Sequence, residues 1–460
     1  MSLMTRECNL EPFLLQSKPL PPMQRGLPFL GSALQLAKDP ITFFVKMYQK
    51  HGPIFSVRIL GKKVTVLAGP EANLFVARNG KHCFSSKAAW DDFAKELGVE
   101  SLMINTDGLH HARYRKLQQR GFSPKMLVGR VNEAVELTKE SLMAYNPGDD
   151  IPMVQWMRLI ASDQLGTLMA NRKPDEYFED VLYFLNTLLR VTIIKNWPRI
   201  ALKNPKYIRA KRRAMQLAEE LLYLHQGKQM GPYPDLVDDI LNASKERGVS
   251  YKNKNELLTS VLGPYFAGLD TVANTTACMI YAILKHPELK QKIQKEADEI
   301  FADGSFSGIE DIKKLKYARL ALMETMRMYP VAPMIPRIAS CSFEFAGHRV
   351  KKGEDLFVAT TSAHFLPELY KDPETFDITR FDAPRLEHRQ PGAFAPYGAG
   401  PHACLGANLG EMLILVTVAT IFHQAELSLQ PQDYELKLRV EAGITPGKDF
   451  KLRLLSRRNC

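Results

Sequence analysis

The segment Tyr397–Gly406, YGAGPHACLG, places one cysteine behind glycines, a proline and a histidine, just before an apolar helical pattern. Gly398 and Gly400 allow backbone conformations and close approaches that other residues avoid. At a helix N-terminus, the helix dipole and free N–H groups stabilise a thiolate over a thiol. A thiolate can ligate haem iron. Cys404 is therefore a candidate metal ligand, and a buried structural cysteine is the alternative.

A second candidate constellation lies in the segment ALMETMRMYP, residues 321–330. Glu324 and Arg327 are three residues apart, so their side chains can pair on one face of a helix. Their neighbours along the helix are apolar, which favours a buried pair over an ordinary exposed ion pair. Arg380, in DPETFDITRF, is a further cation that could close a buried triad.

A third constellation, PYFAGLDTVANTT at 264–276, lies within a helical pattern that runs from about Glu256 to His286. Gly268 weakens the helix, and threonine hydroxyls can compete for its carbonyl groups. Asp270 and Thr271 form an acid–alcohol pair at this weak point. The alternative is a bent helix whose polar residues simply face solvent.

Composition narrows the class of protein. The 460 residues, 45% of them hydrophobic, can form a sizeable core, and no stretch reaches the roughly 18 uninterrupted apolar residues of a membrane span. The first residues lack the apolar core of a signal peptide, and six widely spaced cysteines suit a reducing compartment. We therefore expect a soluble, cytoplasmic protein, unless an anchor has been removed. The net charge of +11 is dispersed, which favours an acidic protein partner over nucleic acid.

The pattern along the chain predicts one large, mostly helical unit with a minor β portion. After a Pro/Gly-rich lead-in and a short helix (Ile41–Tyr48), two alternating segments predict a hairpin across Gly61 and Lys62. Helical patterns dominate from about 110 to 300, with loops near 147, 204 and 231. Short strands return after Pro330, with turns at Ala346–Gly347 and Lys352–Gly353. One more helix and further strands, in LRVEAGITPG and FKLRLL, complete the chain.

Together these stretches resemble the cytochrome P-450 haem-thiolate monooxygenases, over nearly the whole chain. YGAGPHACLG is similar to the haem-binding segment of that family, with Tyr397 in place of the usual phenylalanine. ETMR at 324–327 resembles the ExxR element, and Arg380 of ITRF corresponds to the arginine that completes its triad. AGLDT at 267–271 resembles the oxygen-activating helix.

A fifth segment, DGLHHARYRKLQQRGFS at 107–123, resembles the helix that reaches a haem propionate. His111 stands where tryptophan is frequent, and Arg115 stands in the place of that helix's arginine. The lead-in is similar to microsomal and sterol-demethylase members. Sterol 14α-demethylases usually carry histidine before the threonine of the oxygen helix, where this chain has Asp270, which speaks against strict sterol demethylation.

The resemblance implies a mainly α fold with minor β sheets, in which haem lies between the long oxygen-binding helix and the Cys404 loop. It implies a single catalytic domain over 1–460, with the lead-in at about 1–32, and haem b with Cys404 as ligand to the iron. Asp270 and Thr271 would be catalytic. The other residues implied to hold haem are His111, Arg115, Arg337, Tyr397, Gly398, Gly400, His402 and Gly406.

The resemblance also implies a substrate pocket, whose apolar residues suit a terpenoid, steroid, retinoid or fatty acid. Fold alone does not settle the substrate. The residues expected to line the pocket are Trp90, Phe93, Leu102, Met103, Tyr265, Phe266, Ala267, Val331, Met334, Ile335 and Ile444.

The implied reaction is hydroxylation of such a molecule by dioxygen. No flavin or iron–sulfur segment is recognised in the chain, so a separate ferredoxin or flavodoxin-type reductase is expected to supply electrons. Arg113, Lys116 and Arg120 are expected to form its docking face, and peripheral contact with a membrane stays open. The alternatives are a haem-thiolate isomerase or dehydratase, a peroxygenase that needs no reductase, and a non-catalytic haem sensor.

Overall fold

Helices make up most of the protein in the computed structural model, which describes residues 15–123, 128–226, 234–246, 251, 253–302, 304, 306 and 308–458. The first fourteen residues of the predicted lead-in and the predicted loop near 231 lie outside these ranges. In chain order the helices are α1 (Ala33–Lys38), α2 (Pro40–His51), α3 (Gly69–Cys83), α4 (Lys87–Leu97), α5 (Gly108–Gln118), α6 (Val131–Met143), α7 (Met153–Ala170), α8 (Phe178–Thr192), α9 (Pro205–His225), α10 (Leu236–Glu246), α11 (Lys254–Val261), α12 (Gly263–Lys285), α13 (Pro287–Phe301), α14 (Ile309–Lys314), α15 (Lys316–Met328) and α16 (Ala407–Gln424).

The strands are short and belong to small sheets. They are β1 (Ile54–Ile59), β2 (Lys62–Ala68), β3 (Phe84–Ser85), β4 (Asp150–Pro152), β5 (Ile335–Ala339), β6 (Phe343–Phe345), β7 (His348–Val350), β8 (Asp355–Ala359), β9 (Ala425–Gln430), β10 (Leu438–Val440), β11 (Ile444–Pro446) and β12 (Lys451–Arg457). The predicted mainly α fold with minor β sheets is confirmed.

The chain divides into two compact units. The first contains Met1–Asp91, Met103–Ala112 and Ala332–Cys404, and the second contains Asp92–Leu102, Arg113–Val331 and Leu405–Cys460. That the whole chain acts as one catalytic domain stays a prediction.

The first unit is built on a five-stranded sheet of order β1-β2-β8-β5-β3, in which β2 and β8 are parallel and the other neighbours are antiparallel. Helix α3 packs on this sheet, and its Phe75 and Val76 share a buried cluster with Leu67 of β2 and Val358 of β8. Strands β6 and β7 form a separate hairpin. The sheet and α3 together support the loop that ends at Cys404.

The β1–β2 hairpin differs from its prediction by one residue. Lys62 pairs with Ile59 and begins β2, so the turn consists of Leu60 and Gly61 rather than Gly61 and Lys62. Both turn residues have positive φ, +51° and +81°. Glycine marked the turn correctly, but a leucine in the left-handed region is not a residue that turn propensity predicts.

The other turn predictions in the first unit are confirmed. Ala346 and Gly347, with φ of +47° and +78°, connect β6 to β7, and Gly353, with φ of +83°, precedes β8. The predicted short helix lies inside α2, where the Asp39 side chain accepts a hydrogen bond from the Thr42 amide at 3.0 Å. A helix start of this kind satisfies an amide that would otherwise lack a partner.

The second unit is mainly helical, and α12 packs closely against α7. A Cβ added to Gly268 of α12 would lie 3.0 Å from Leu165, and one added to Gly166 of α7 would lie 2.4 Å from the Tyr265 hydroxyl. Glycine at these two positions therefore permits the close approach of the helices. The helical pattern predicted from about Glu256 to His286 is divided between α11 and α12, on either side of Leu262.

Two helical stretches are long and apolar enough to cross a membrane, Lys254–Lys285 and Gly400–Gln424. Their most apolar windows are 72% and 67% buried inside the protein, as in the core helices of globular proteins. Their length and composition are therefore weak evidence for a membrane span.

Candidate active site

The Cys404 loop is held in shape by glycines and by backbone hydrogen bonds. Gly398 and Gly400 have φ of +72° and +73°, and a Cβ at Gly400 would lie 2.7 Å from the carbonyl oxygen of Val76 in α3. The amide of Cys404 donates to the carbonyl oxygen of Tyr397 at 3.0 Å and closes the loop. Larger residues at Gly400 would both strain the backbone and separate the loop from α3.

Cys404 is the exposed cysteine among those in the described part of the chain. Cys83 and Cys278 are buried, and burial raises the pKa of the Cys278 thiol well above its usual range. Cys341 is half-buried, and its thiol points to the His82 carbonyl. An accessible thiol three residues before α16 suits a metal ligand, because the thiolate is the form that binds metal.

A histidine pair and an aspartate lie beside the loop in the first unit. His402 Nε2 donates to Asp107 Oδ1 at 3.2 Å, and the His402 ring stacks on that of His111 with centroids 3.9 Å apart. Burial raises the pKa of Asp107, but hydrogen bonds from His402, Ser85 and two backbone amides outweigh burial and hold the pKa below its ordinary range. Asp107 thus acts as the anion that fixes His402, a role that the sequence did not reveal.

Arg337 on β5 is a partly buried cation whose charge is incompletely balanced within the first unit. Its Nη1 donates to the carbonyl of Pro336 at 2.8 Å. Burial lowers the pKa of Arg337 to about 10, and the field of Asp107 only partly opposes this shift. A guanidinium in this position fits a carboxylate partner, such as a haem propionate, through charge-assisted bonds.

Glu324 and Arg327 form a fully buried ion pair on α15. Arg327 donates from Nε and Nη2 to the two carboxylate oxygens of Glu324, at 2.7 and 2.9 Å. This bidentate geometry is the strong form of an Arg–carboxylate interaction. The predicted pair is therefore present, because residues three apart on a helix face the same side.

Arg380 is also fully buried, in the first unit, with a different set of acceptors. It donates to three backbone carbonyls, of Lys371, Asp372 and Thr375, and to Glu387 Oε2 at 3.0 Å. Glu387 is an acidic partner that the sequence did not predict. That Arg380 completes a triad with the α15 pair stays a prediction.

On α12, Ala267 and Thr271 are exposed one turn apart on a helix that is otherwise largely buried. The hydroxyl of Thr271 donates to the carbonyl oxygen of Ala267 at 2.8 Å. It also lies 3.3 Å from the carbonyl oxygen of Gly268. Its proton is thus engaged by the helix, whereas its oxygen lone pairs stay available as acceptors on the exposed side.

Asp270 is held by a cation from another helix. Arg158 of α7 donates from Nε to Asp270 Oδ1 at 2.6 Å, and its Nη2 lies 3.9 Å from Glu441, next to β10. Among the described hydrogen bonds, none joins Asp270 to Thr271. Adjacent helical residues point about 100° apart, which explains why the predicted acid–alcohol pair faces two directions.

The residues predicted to contact substrate fall in both units. In the second unit, Phe93 packs edge-to-face on Phe266, and Phe266 packs in the same way on Phe184 of α8, with centroids 6.0 and 5.9 Å apart. Ile444 donates its amide to the carbonyl of Val331 at 2.9 Å, which brings two predicted residues together. Leu102 is buried.

Tyr265 has a different environment from the one expected for a pocket residue. It is fully buried, and its hydroxyl lies against α7 at Gly166. In the first unit, the predicted Trp90, Met103, Met334 and Ile335 are each half-buried. Ile335 lies beside the Cys404 loop, since a Cβ on Gly398 would approach its Cδ1 to 2.9 Å.

The remaining residues predicted to bind haem lie on α5 and on or next to the Cys404 loop. Arg115 is half-buried on α5, in the second unit, and Tyr397 is half-buried where the Cys404 loop begins. Gly406 lies against Phe122. An exposed thiol on a glycine-shaped loop, a stacked histidine pair and a partly buried arginine together provide the donor types that haem iron and its carboxylates require.

Comparisons with known proteins identify the family of the chain. The profile described as Cytochrome P450 matches residues 21–452. A cyclooctat-9-en-7-ol 5-monooxygenase of Streptomyces melanosporofaciens is 26% identical over 86% of this chain and 87% of its own. An abscisic acid 8'-hydroxylase of Solanum lycopersicum is 26% identical over 86% of this chain and 83% of its own.

The fold is also that of solved members of this class. The retinoic acid-bound cyanobacterial CYP120A1 superposes with a TM-score of 0.83 over 96% of this chain and 100% of its own, at 23% identity. These similarities define a haem-binding oxygenase fold. The chain belongs to the cytochrome P450 family and is a monooxygenase, which inserts one atom of dioxygen.

We predict that Cys404 is the ligand of the haem iron. Replacement of Cys404 with serine should abolish the absorbance band that reports thiolate ligation in the reduced, carbon monoxide-bound enzyme, because a hydroxyl does not replace the thiolate. Cys341→Ser, at the half-buried cysteine, is the matched control and should keep the band. A Cys404→Ala protein that still showed it would assign the ligand to another cysteine.

We also predict that Asp107 stabilises the fold through His402 and Ser85. Asp107→Asn should lower the free energy of unfolding at pH 7 by about 1–3 kcal/mol, the cost of disrupting charged hydrogen bonds. The folded pKa lies below the unfolded value of about 3.9, so this stabilisation is present above that value and is lost as pH falls.

Denaturant unfolding from pH 7 to pH 3 provides the measurement. The difference between wild type and Asp107→Asn should narrow below about pH 4. Asp91→Asn, at a half-exposed aspartate with a weak Lys87 contact at 3.4 Å, should change stability little. A difference for Asp107→Asn that stays constant over this range would show that its charge does not stabilise the fold.

Proposed function

We propose that this monooxygenase hydroxylates a lipophilic small molecule, of the terpenoid, steroid, retinoid or fatty acid type. The observation that carries the proposal is the aromatic cluster of Phe93, Phe184 and Phe266, which adjoins the exposed Ala267 along α12. Aromatic and aliphatic side chains of this kind bind apolar ligands by burying their surface.

The names of similar proteins support this class of substrate. The two relatives act on an alkenol and on an organic acid, and the solved neighbour holds retinoic acid. All are small molecules with oxygen substituents. Addition of such compounds should shift the spin state of the haem in this protein, and a panel without any response would contradict the proposed substrate class.

In this proposal haem supplies the chemistry of dioxygen activation, and the chain controls substrate position, water and protons. Phe93, Phe266, Val331 and Ile444 would orient the substrate in the second unit. Thr271 would hold a water molecule through its oxygen lone pairs, since its hydroxyl proton is engaged by Ala267. Asp270 would pass protons to that water, with Arg158 as the residue that fixes its carboxylate.

We propose further that electrons come from a separate ferredoxin or flavodoxin-type protein that docks on α5. Lys116 is exposed there, and Arg113 and Arg120 lie nearby along the chain. Arg120 also lies 3.6 Å from Asp239 of α10, so its charge is partly balanced. Lys116 is therefore the cation of this face best suited to meet an acidic donor.

Thr271→Ala should uncouple electron consumption from product formation. Substrate binding and the first reduction need no proton delivery, so both should be unchanged. Product formed per NAD(P)H consumed should fall about tenfold or more, and the lost equivalents should appear as hydrogen peroxide. The measurement is the amount of product formed and the amount of hydrogen peroxide released for each NAD(P)H consumed.

Two variants control this experiment. Thr271→Ser retains the hydroxyl and should stay largely coupled. Thr276→Ala removes a buried hydroxyl that bonds to the Val272 carbonyl at 2.7 Å on the same helix, so it tests the structural effect alone. A Thr271→Ala enzyme as well coupled as wild type would remove Thr271 from the mechanism and favour the isomerase or peroxygenase alternative.

Lys116→Glu should raise the KM for the electron donor several-fold at low ionic strength, with substrate affinity unchanged. Charges at the edge of an interface act mainly on the association rate and its salt dependence. Stopped-flow reduction at increasing salt is the measurement, and Arg209→Glu, at an exposed arginine on α9, is the charge-matched control. Reduction rates equal in wild type and Lys116→Glu would place the docking face elsewhere.

A further inference from the structure

In the second unit, the last residue of α9, His225, lies beside Asp235, the residue that precedes α10. Nε2 of His225 is 2.8 Å from Oδ2 of Asp235, and Nδ1 is 2.6 Å from the carbonyl oxygen of Leu221, one turn earlier in α9. The side chains are buried, with exposed fractions of 6% for His225 and 0% for Asp235. Neither residue belongs to the candidate active site, so this His225–Asp235 pair calls for a separate explanation.

Both ring nitrogens of His225 face oxygen atoms that only accept hydrogen bonds. A carbonyl oxygen and a carboxylate oxygen have no proton to donate, so each ring nitrogen has to supply one. The charged form of histidine carries two N–H groups, whereas the neutral form carries one. The contacts of the pair therefore fit a protonated His225 and are incomplete when its ring is neutral.

Three donors in turn favour the ionised form of Asp235. Besides His225, the side-chain amide of Asn171 donates to Oδ2 at 2.5 Å, and the backbone amide of Asp238 donates to Oδ1 at 3.0 Å. The amide of Asp235 donates back to Asp238 Oδ2 at 3.2 Å, so the two aspartates form a reciprocal cap at the start of α10. Asp235 is thus both the cap of α10 and the counter-ion of His225.

The two helix ends favour the same charges. His225 lies at the C-terminus of α9 and Asp235 at the N-terminus of α10, where helix dipoles stabilise a cation and an anion, respectively. Among the described residues, the charged groups that act on His225 are Asp235 and Asp238, and the segment after α7 contributes the uncharged Asn171. Burial lowers the pKa of His225, but the hydrogen bond and charge of Asp235 outweigh burial and raise the pKa above its ordinary value.

The start of α10 also supports the segment that follows α5. A Cβ on Gly121 would lie 2.9 Å from Cδ1 of Leu236, so this segment packs directly on the first residue of α10. Asp239, in the first turn of α10, lies 3.6 Å from Nε of Arg120. One turn of helix therefore connects the end of α9 with the segment that carries Arg120.

We propose that the His225–Asp235 pair is a pH-sensitive latch that holds the start of α10 against the end of α9. The latch is closed while His225 is charged. Loss of its proton leaves the buried carboxylate of Asp235 without its cation, which is unfavourable, so α10 opens more often, together with the segment that carries Arg120. This proposal depends neither on the proposed substrate nor on the proposed electron donor.

The direction of the pH effect follows from the charge of His225. Because folding raises the pKa of this ring, the stabilisation is complete below the unfolded pKa of about 6.5 and is lost as pH rises through the folded pKa. Each unit by which folding raises a pKa corresponds to about a tenfold change in the equilibrium between closed and open forms. Alkaline conditions should therefore open α10.

Amide hydrogen exchange of the holoenzyme between pH 6 and pH 9, corrected for the intrinsic effect of pH, measures this opening. Protection of residues 236–242 and 119–123 should fall several-fold in wild type, whereas protection of the buried helix α16 should not change. His225→Gln has no ionisable ring, so its protection should already be low at pH 6 and change little up to pH 9. A difference between wild type and His225→Gln that is the same at every pH would overturn the proposal, because a purely structural role gives that result.

Two further variants sharpen the comparison. His348→Gln is the matched control, since Nδ1 of His348 lies 2.9 Å from the Ala346 carbonyl but no carboxylate pairs with this ring in the described part of the chain. Its protection profile should match that of wild type. Asp235→Asn keeps an oxygen for the cap of α10 and removes the charge, so the pH dependence should disappear. Equal pH dependence in wild type and in Asp235→Asn would overturn the latch.

A measurement on the wild-type enzyme keeps the test independent of how the variants fold. Exchange of the Cε1 proton of the His225 ring, followed by mass spectrometry of its peptide, reports the pKa of that ring. The midpoint should lie above about 6.5 and coincide with the pH at which α10 loses protection. A midpoint at or below that value would overturn the latch. A protection profile that changes on addition of EDTA would also overturn it and assign His225, Asp235 and Asp238 to a bound cation.

Discussion

The close approach of Gly400 to α3 is the constraint on which the Cys404 loop depends. A Cβ at this glycine would meet the carbonyl of Val76 at 2.7 Å, and its φ of +73° excludes most other residues. The loop can therefore pack on α3 and turn its cysteine outward. For the predicted ligation of the haem iron by Cys404, such a loop is favourable, because little further conformational freedom has to be lost when the cofactor binds.

A second constraint on the structure is that buried charges need partners of opposite charge. The two units satisfy this constraint differently. Glu324 and Arg327 form a bidentate pair on one helix, and pairing of this kind offsets part of the free-energy penalty for burying two charges. Arg337 is not balanced in this way, since its donor contact is a backbone carbonyl and burial lowers its pKa to about 10. A guanidinium that is partly buried and incompletely balanced gains most from an anionic ligand, which is what the carboxylates of haem provide.

The sequence predicted contacts that follow from local spacing. The mainly α fold, the β6–β7 turn and the pairing of Glu324 with Arg327 all depend on periodicity or on neighbours three residues apart. It did not predict Asp107 as the partner of His402, Glu387 as the partner of Arg380, or Arg158 as the partner of Asp270. Two of these pairs join residues more than one hundred positions apart. A motif shows which residue types are present in a segment. The hydrogen-bond partner of each side chain, by contrast, depends on tertiary packing.

In the proposed proton path, water has to connect Asp270 with Thr271, because the two side chains point in different directions. Asp270 and Thr271 are neighbours on α12, so their side chains diverge and the carboxylate is held by Arg158 of α7. Arg158 also faces Glu441 at 3.9 Å, and Glu441 precedes Ile444 in the loop between β10 and β11. One guanidinium is thus shared by two carboxylates, one on the oxygen helix and one on a loop expected to contact substrate. Arg158 thus connects Asp270 with the loop that carries Glu441, because its guanidinium attracts each carboxylate with a strength that depends on the distance between the two charges.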